Sequence, residues 1–364
     1  MLFYILLSFV CLLPGILFPS YKNSSHQKRQ YLFLNCILLT VVMGLRGRTV
    51  GIDTAVSNDF YIRIAQENDF SVYMNIVNAA PVYSLYNKGL SLLSSNPYFL
   101  NIANAFIINV CFMYFIYQYS DNVIFSVYCY MTMYFYFFSF NGTRQMLACA
   151  ICLLAFVLYQ KRHFFRAIIT FICAIGIHTT CIVFLPVFLL SYPQYKTCVY
   201  KMFFLLIIAG GAIFQVASKV IFFLVFHFLP AYQKYEVWLN AGRFQAQGRN
   251  VLVTIFYTIF VLMFLVIVWK YKVKKNYIVR RDWILLLPAM CGLVLGILFY
   301  KNALISGRVI LYFTAFMTVV LPNFIEKFYN GKILLYLSIG ACLLFLLYYQ
   351  LHINYAGIIP YHFL

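Results

Sequence analysis

The sequence predicts an all-α polytopic membrane protein, a bundle of about twelve transmembrane or re-entrant helices forming one domain over residues 1–364. Three observations predict it. Of the 364 residues, 64% are hydrophobic and only 10% charged, so lipid must solvate most of the chain. Apolar runs of spanning length recur along it. The basic residues divide by type: eleven of the fifteen lysines fall in loops assigned to the cytoplasm, while seven of the twelve arginines fall on the opposite face. The rule that orients membrane proteins accounts for the lysines but not for the outward arginines.

The first run, Met1 to Pro19, lacks a basic segment before it and is followed by Lys22, Lys28 and Arg29, so it reads as a helix rather than a signal peptide. Further spans are expected to begin near Tyr31, Tyr98, Val123, Gln145, Met202, Val251, Trp283, Arg308 and Ile333. The clusters Lys22 to Arg29, Lys161 to Arg166 and Lys270 to Arg281 set the cytoplasmic side. Between Arg166 and Lys196, Pro186 and the polar His178, Thr179 and Thr180 predict two short, tilted or re-entrant helices meeting near the outer face. Both termini then lie outside. The outward loops are Arg46 to about Asn96, Asn141 to Arg144, the surroundings of His178, Leu229 to Asn250, Tyr300 to Arg308, and the tail from Gln350. Within the longest of these, Pro81 to Ser95 mixes leucines with Asn87 and Lys88, like a helix lying at the interface. Lys88 is expected to tolerate alanine.

Composition excludes several functions. The charge of +19 belongs to short loops beside membrane helices, so nucleic acid is not an expected partner. The eleven cysteines lie almost entirely in apolar runs, which implies packing rather than a disulfide framework. Cys149 and Cys152 have no second ligand pair, and no metal or other cofactor is expected. The tyrosines and phenylalanines read as interfacial belts.

Chemistry is left to the outward arginines Arg46, Arg48, Arg63, Arg144, Arg243, Arg249 and Arg308. A guanidinium is always charged and presents a planar fork that holds phosphate by two parallel bonds; a snorkelling arginine is the bland alternative. Arg144 sits in the polar island Asn141-Gly142-Thr143-Arg144-Gln145 at the start of a helix, where free backbone amides also favour an anion. Asp53 can pair with an arginine of the Arg46-Gly47-Arg48 turn or take a proton. His178 can act as a base or a phosphate ligand, or be a satisfied structural histidine.

The stretches Leu45-Arg46-Gly47-Arg48-Thr49-Val50-Gly51-Ile52-Asp53-Thr54 with Tyr61, Phe140-Asn141-Gly142-Thr143-Arg144-Gln145, and Gly176-Ile177-His178-Thr179 before Phe184-Leu185-Pro186 resemble the EpsG family of Wzy-like polysaccharide polymerases. Gly307-Arg308-Val309 and Pro360-Tyr361 resemble later landmarks. The resemblance implies a bacterial inner-membrane protein with a GT-C-like bundle that joins polyprenyl-diphosphate-linked oligosaccharides at the periplasmic face, as in O-antigen assembly, with a chain-length regulator as a further partner. It carries Arg46, Asp53, Arg144, Gln145, His178 and Arg308 over as site residues, with the doubled Arg46 and Arg48 leaving the family position shared between them. The expected roles are diphosphate binding by Arg46, Arg48, Arg144, Gln145 and Arg308, and catalysis by Arg144 with Asp53 or His178 as base. A flippase of the same lipid-linked unit, a membrane ligase and an acyltransferase are the alternative readings.

Overall fold

The computed structural model describes residues 1–17, 24–69, 71–72, 74, 80–191, 205, 209–210, 212–213, 227–228, 249–273, 280–300, 305–327, 331–354 and 356–364. The fold is all-helical. Among the described residues, β pairing is limited to an isolated bridge between Arg46 and Phe363. Most of the expected helix from Met202 and the loop carrying Arg243 lie outside the described residues.

Four helices are long and apolar enough to cross a membrane, at 97–119, 143–160, 281–298 and 335–352, and a fifth span results if 307–314 and 317–326 form one broken crossing. These fit a multi-pass membrane protein. The other apolar helices among the described residues, 2–14, 123–132, 164–177, 179–190 and 253–266, are shorter than a full span.

The described residues form two compact units, Met1–Ile182 with Thr318–Leu364, and Val183–Met317. In the first, α1 (Leu2–Leu17) is followed by α2 (Ser25–Gly44), which starts six residues earlier than Tyr31 because Ser24 caps it, its side chain accepting from the Gln27 amide at 3.4 Å. Lys28 and Arg29 therefore occupy the first turns of a helix rather than a loop. Next come α3 (Thr54–Gln66), α4 (Pro81–Ser91) and α5 (Pro97–Tyr119); Asn96 caps α5 at the Tyr98 amide, 3.0 Å away, and Pro97 takes the first helical position, where it loses no bond. The run expected from Val123 divides into α6 (Val123–Thr132) and α7 (Phe135–Phe138), because Tyr134 adopts a φ of 90° that no helix continues through. The helices α8 (Thr143–Gln160) and α9 (Phe164–Ile177) form a closely packed pair.

The break expected at His178 is present: α9 ends there, a 3₁₀ turn covers Thr179–Phe184, and α10 (Leu185–Leu190) begins just before Pro186. The second unit continues with α11 (Arg249–Val273), α12 (Arg280–Leu298), a π-helical turn at Ile305–Val309 and α13 (Leu311–Thr314), so the span expected from Arg308 starts irregularly. Gly292 lets α12 approach α13, since a Cβ there would lie 2.8 Å from the Thr314 backbone nitrogen. Then come α14 (Met317–Glu326) and α15 (Gly331–Phe345), which runs on through a π-helical turn to His352.

The polar contacts of the first unit collect at its two ends. At one, the loop after α2, the turn before α8 and the C-terminal tail join: Gly47 N–H donates to His362 O at 2.9 Å, Gly51 N–H to Gly357 O at 2.8 Å, and the Tyr361 hydroxyl to Val42 O at 2.9 Å. At the other, the turn before α6 is tied to α14: Asp121 N–H donates to Asn323 Oδ1 at 2.7 Å, and Asn122 Nδ2 to Glu326 Oε2 at 3.1 Å. Buried side chains such as Phe112, Phe115, Tyr130, Tyr136 and Phe156 fill the space between.

Candidate functional site

The end that holds the α2 loop is built around Arg46. Its side chain is 1% exposed. Nε donates to Thr54 Oγ1 at 3.2 Å, one terminal nitrogen donates to Met43 O, the other lies 3.5 Å from Thr143 Oγ1, and the guanidinium carbon sits 5.1 Å from the centre of the Phe140 ring. Burial pushes its pKa down to about 10, against the raising influence of Tyr136, Tyr4, Tyr361 and Tyr83, so the group remains charged at neutral pH. Three hydrogen bonds and an aromatic face occupy its fork, and they join the end of α2, the start of α3 and the turn before α8. Arg46 is thus placed as a hub of the site's frame.

Thr54 and Gly51 explain why this loop closes on that turn. The Thr54 hydroxyl lies 2.7 Å from Val50 O and 3.1 Å from Phe140 O. Gly51 has a φ of +93°, and a Cβ on it would lie 2.2 Å from Phe140 O, so both its backbone shape and the close approach of the carbonyl demand glycine. Gly51→Ala is expected to cost about 3 kcal/mol, from left-handed strain together with overpacking against a backbone atom. A thermal midpoint unchanged from wild type in detergent would contradict this.

Arg48, two residues after the hub, behaves differently. Its side chain is exposed and pairs with Asp59 at 2.6 Å. Asp53 is exposed at the N-terminal end of α3. The spacing in the sequence does not distinguish two arginines of one turn, but burial does: one is inside the frame and the other on its rim.

The polar island takes the position expected of it. Gly142 precedes α8, Thr143 begins it, and Arg144 and Gln145 are its second and third residues, where backbone N–H groups have no partner within the helix. Thr143 is buried, its hydroxyl donating to Ser139 O at 2.6 Å and facing Arg46, so it belongs to the frame. Gln145 is buried too. Arg144 is half-buried, and its guanidinium carbon lies 5.9 Å from the centre of the Tyr83 ring on α4, within cation–π reach. Among the described residues it forms no ion pair and no side-chain hydrogen bond. Its donors are therefore available to an anion, while Tyr83 holds the side chain's direction.

The α4 helix also leads to His178. Val82 fills the space against Gly176, where a Cβ would lie 2.2 Å from Val82 Cγ2, and two residues later α9 ends at His178. His178 is half-buried, with Nδ1 2.7 Å from Thr180 Oγ1, which fixes the plane of the ring. A chain of contacts therefore links Arg46 to Thr143, Arg144 to Tyr83, and Val82 to the turn carrying His178. Arg308, exposed on the π-helical turn, belongs to the second unit.

Tyr83 gave no signal in the sequence, whereas Thr54 and Tyr361 stood within the stretches that carry the resemblance without being among the expected site residues. Lys88 likewise has a task, since its Nζ donates to Ile64 O at 3.3 Å and Glu67 O at 2.6 Å and so closes the end of α3 against α4. It is not the neutral surface lysine expected from its position in an interfacial helix. Cys149 and Cys152 are both buried in the α8 packing, and no group of three or more potential metal ligands occurs among the described residues.

The family model described as EpsG family matches residues 3–363 of the chain. No curated protein and no solved structure matches it.

Proposed function

The chain belongs to the EpsG family, which gives it a polysaccharide-polymerase-like role in general, and we propose that it extends a bacterial surface polysaccharide such as O-antigen at the periplasmic face of the inner membrane. The donor is a growing glycan on polyprenyl diphosphate, and the acceptor is an incoming lipid-linked repeat unit. The observation that carries this reading is Arg144: a half-buried guanidinium directed by Tyr83, at a helix N-terminus, with no carboxylate partner among the described residues. That arrangement suits a diphosphate anchored in lipid.

In the proposed reaction, the bond between the anomeric carbon and the diphosphate oxygen breaks, and a bond from that carbon to the acceptor hydroxyl forms. The hydroxyl proton passes to a base, and polyprenyl diphosphate departs with its negative charge. Diphosphate needs charge stabilisation more than protonation, which Arg144 and the backbone amides of the first turn of α8 supply without a metal. Arg48 and Gln145 assist it. Of the two candidate bases, His178 is the better suited, because Thr180 fixes its ring; Asp53, exposed on the rim, orients the acceptor. Holding both lipids at one rim supplies proximity. The wider arrangement proposed is about twelve crossings in a GT-C-like bundle, working beside a chain-length regulator.

The glycan ladder of a deletion strain tests the reading. Single capped units at the surface, with the full ladder returning when the gene is restored, are the expected result. Units trapped inside would show a flippase, and loss of even single units from the final acceptor would show a ligase.

A further inference from the structure

We infer that the corner where α3, α4 and the first two turns of α5 meet is a subsite for an uncharged sugar ring of the lipid-linked glycan, next to the anion position at Arg144. The inference rests on the polymerase reading and names where its sugar sits.

Buried side-chain atoms without a hydrogen-bond partner are rare in folded proteins, because each forfeits its bonds to water and gains none in return. Eleven such atoms occur among the described residues, and six of them are carried by the three helices that meet here: Asn58 Oδ1 on α3, Ser84 Oγ and Tyr86 OH on α4, and Asn101 Nδ2 with both Nδ2 and Oδ1 of Asn104 on α5. The three helices pack on one another. Asn58, Ser84, Asn101 and Asn104 are each at most 2% exposed, so water outside the protein does not serve them.

Register places the corner beside the proposed anion site. Both α5 and α8 start at the Arg46 end, α5 with Ile102 against Gly44 and α8 with Thr143 facing Arg46. Farther along, Phe115 and Tyr119 of α5 meet Phe156 of α8, with ring centres 6.2 and 5.5 Å apart. Two parallel helices in that register put Asn104 level with the start of α8, between Asn141 and Gln145 and so around Arg144. On α4, Ser84 directly follows Tyr83, the residue under the Arg144 guanidinium.

The chemistry of the group selects its ligand. Amides offer donors and acceptors together, and hydroxyls offer either, which matches the dual character of sugar hydroxyls and acetamido groups. No lysine, arginine, aspartate or glutamate is among them, so they are not built for phosphate. Tyr83 and Tyr86, with ring centres 6.1 Å apart, add apolar faces of the kind on which the C–H side of a pyranose rests. The six atoms are buried, so a sugar reaches them only if α3 and α4 part from α5.

Asn104→Leu tests this with purified protein in nanodiscs and two probes: the lipid-linked repeat unit extracted from a strain lacking the polymerase, and polyprenyl diphosphate bearing no sugar. The variant is expected to bind the glycosylated probe about ten-fold more weakly or worse, to bind the bare diphosphate as wild type does, and to show a thermal midpoint no lower than wild type. Should Asn104→Leu fail to fold, Ser84→Ala carries the same comparison. Wild-type affinity for both probes, or an equal loss for both, would overturn the subsite while leaving the polymerase reading intact. Failure of wild-type protein to bind either probe would instead remove the polymerase reading, and the subsite with it.

Discussion

Replacing Arg144 with alanine is expected to leave a strain with single-unit glycans only, at normal protein level. The loss should be large. Removing one preorganised donor aimed at developing charge typically lowers turnover by about 10²–10³-fold, and a polymer compounds that loss at every added unit. Protein stability should change little, because the side chain is half-buried and its contact within the described residues is the Tyr83 ring. Arg144→Lys should recover only part of the activity, since an ammonium supplies the charge without the fork. Gel analysis of surface glycans, normalised to protein in the membrane, checks both variants. Long glycans from Arg144→Ala would remove this residue from the site.

Arg46→Ala should also abolish the ladder, but by a different route. The Arg46 side chain is buried, bridges Met43, Thr54 and Thr143, and covers Phe140. Its truncation leaves a void and strips acceptors of their donor, at a cost of about 3–5 kcal/mol by analogy with large buried side chains cut to alanine. The turn that aims Arg144 then loses its tie to α2. A fall in thermal midpoint, with faster amide exchange across residues 141–145, should therefore accompany the loss of polymer. Arg46→Lys distinguishes this frame role from direct binding: the charge stays but three partners cannot be reached at once. Its stability should drop, while the folded fraction binds polyprenyl diphosphate about as well as wild type. A wild-type midpoint in Arg46→Ala would contradict the frame role.

These two arginines show what was legible in the sequence. Polarity within apolar sequence marked Arg144, and the break at His178 was foreseen from one histidine, two threonines and a proline. The separation of Arg46 from Arg48 was not legible, because both occupy one turn and differ only in what folds over them. What folds over Arg46 includes the C-terminal tail, whose bond from Gly47 to His362 joins residues more than three hundred positions apart. No local pattern encodes such a contact. The asparagine-rich corner escaped for a related reason: Asn58, Ser84 and Asn104 lie on three helices, and each reads as an isolated polar residue. The crossing count was blurred by helices such as 123–132 and 164–177, which are apolar but shorter than the window that recognises a span.

The most direct test of the central claim is the affinity of the purified protein, in nanodiscs, for polyprenyl diphosphate without a sugar. Wild-type protein should bind it, and Arg144→Ala should bind it about ten-fold more weakly or worse, in line with loss of a charge-assisted bidentate contact. Equal affinity of the two proteins would contradict the assignment of Arg144 to the diphosphate.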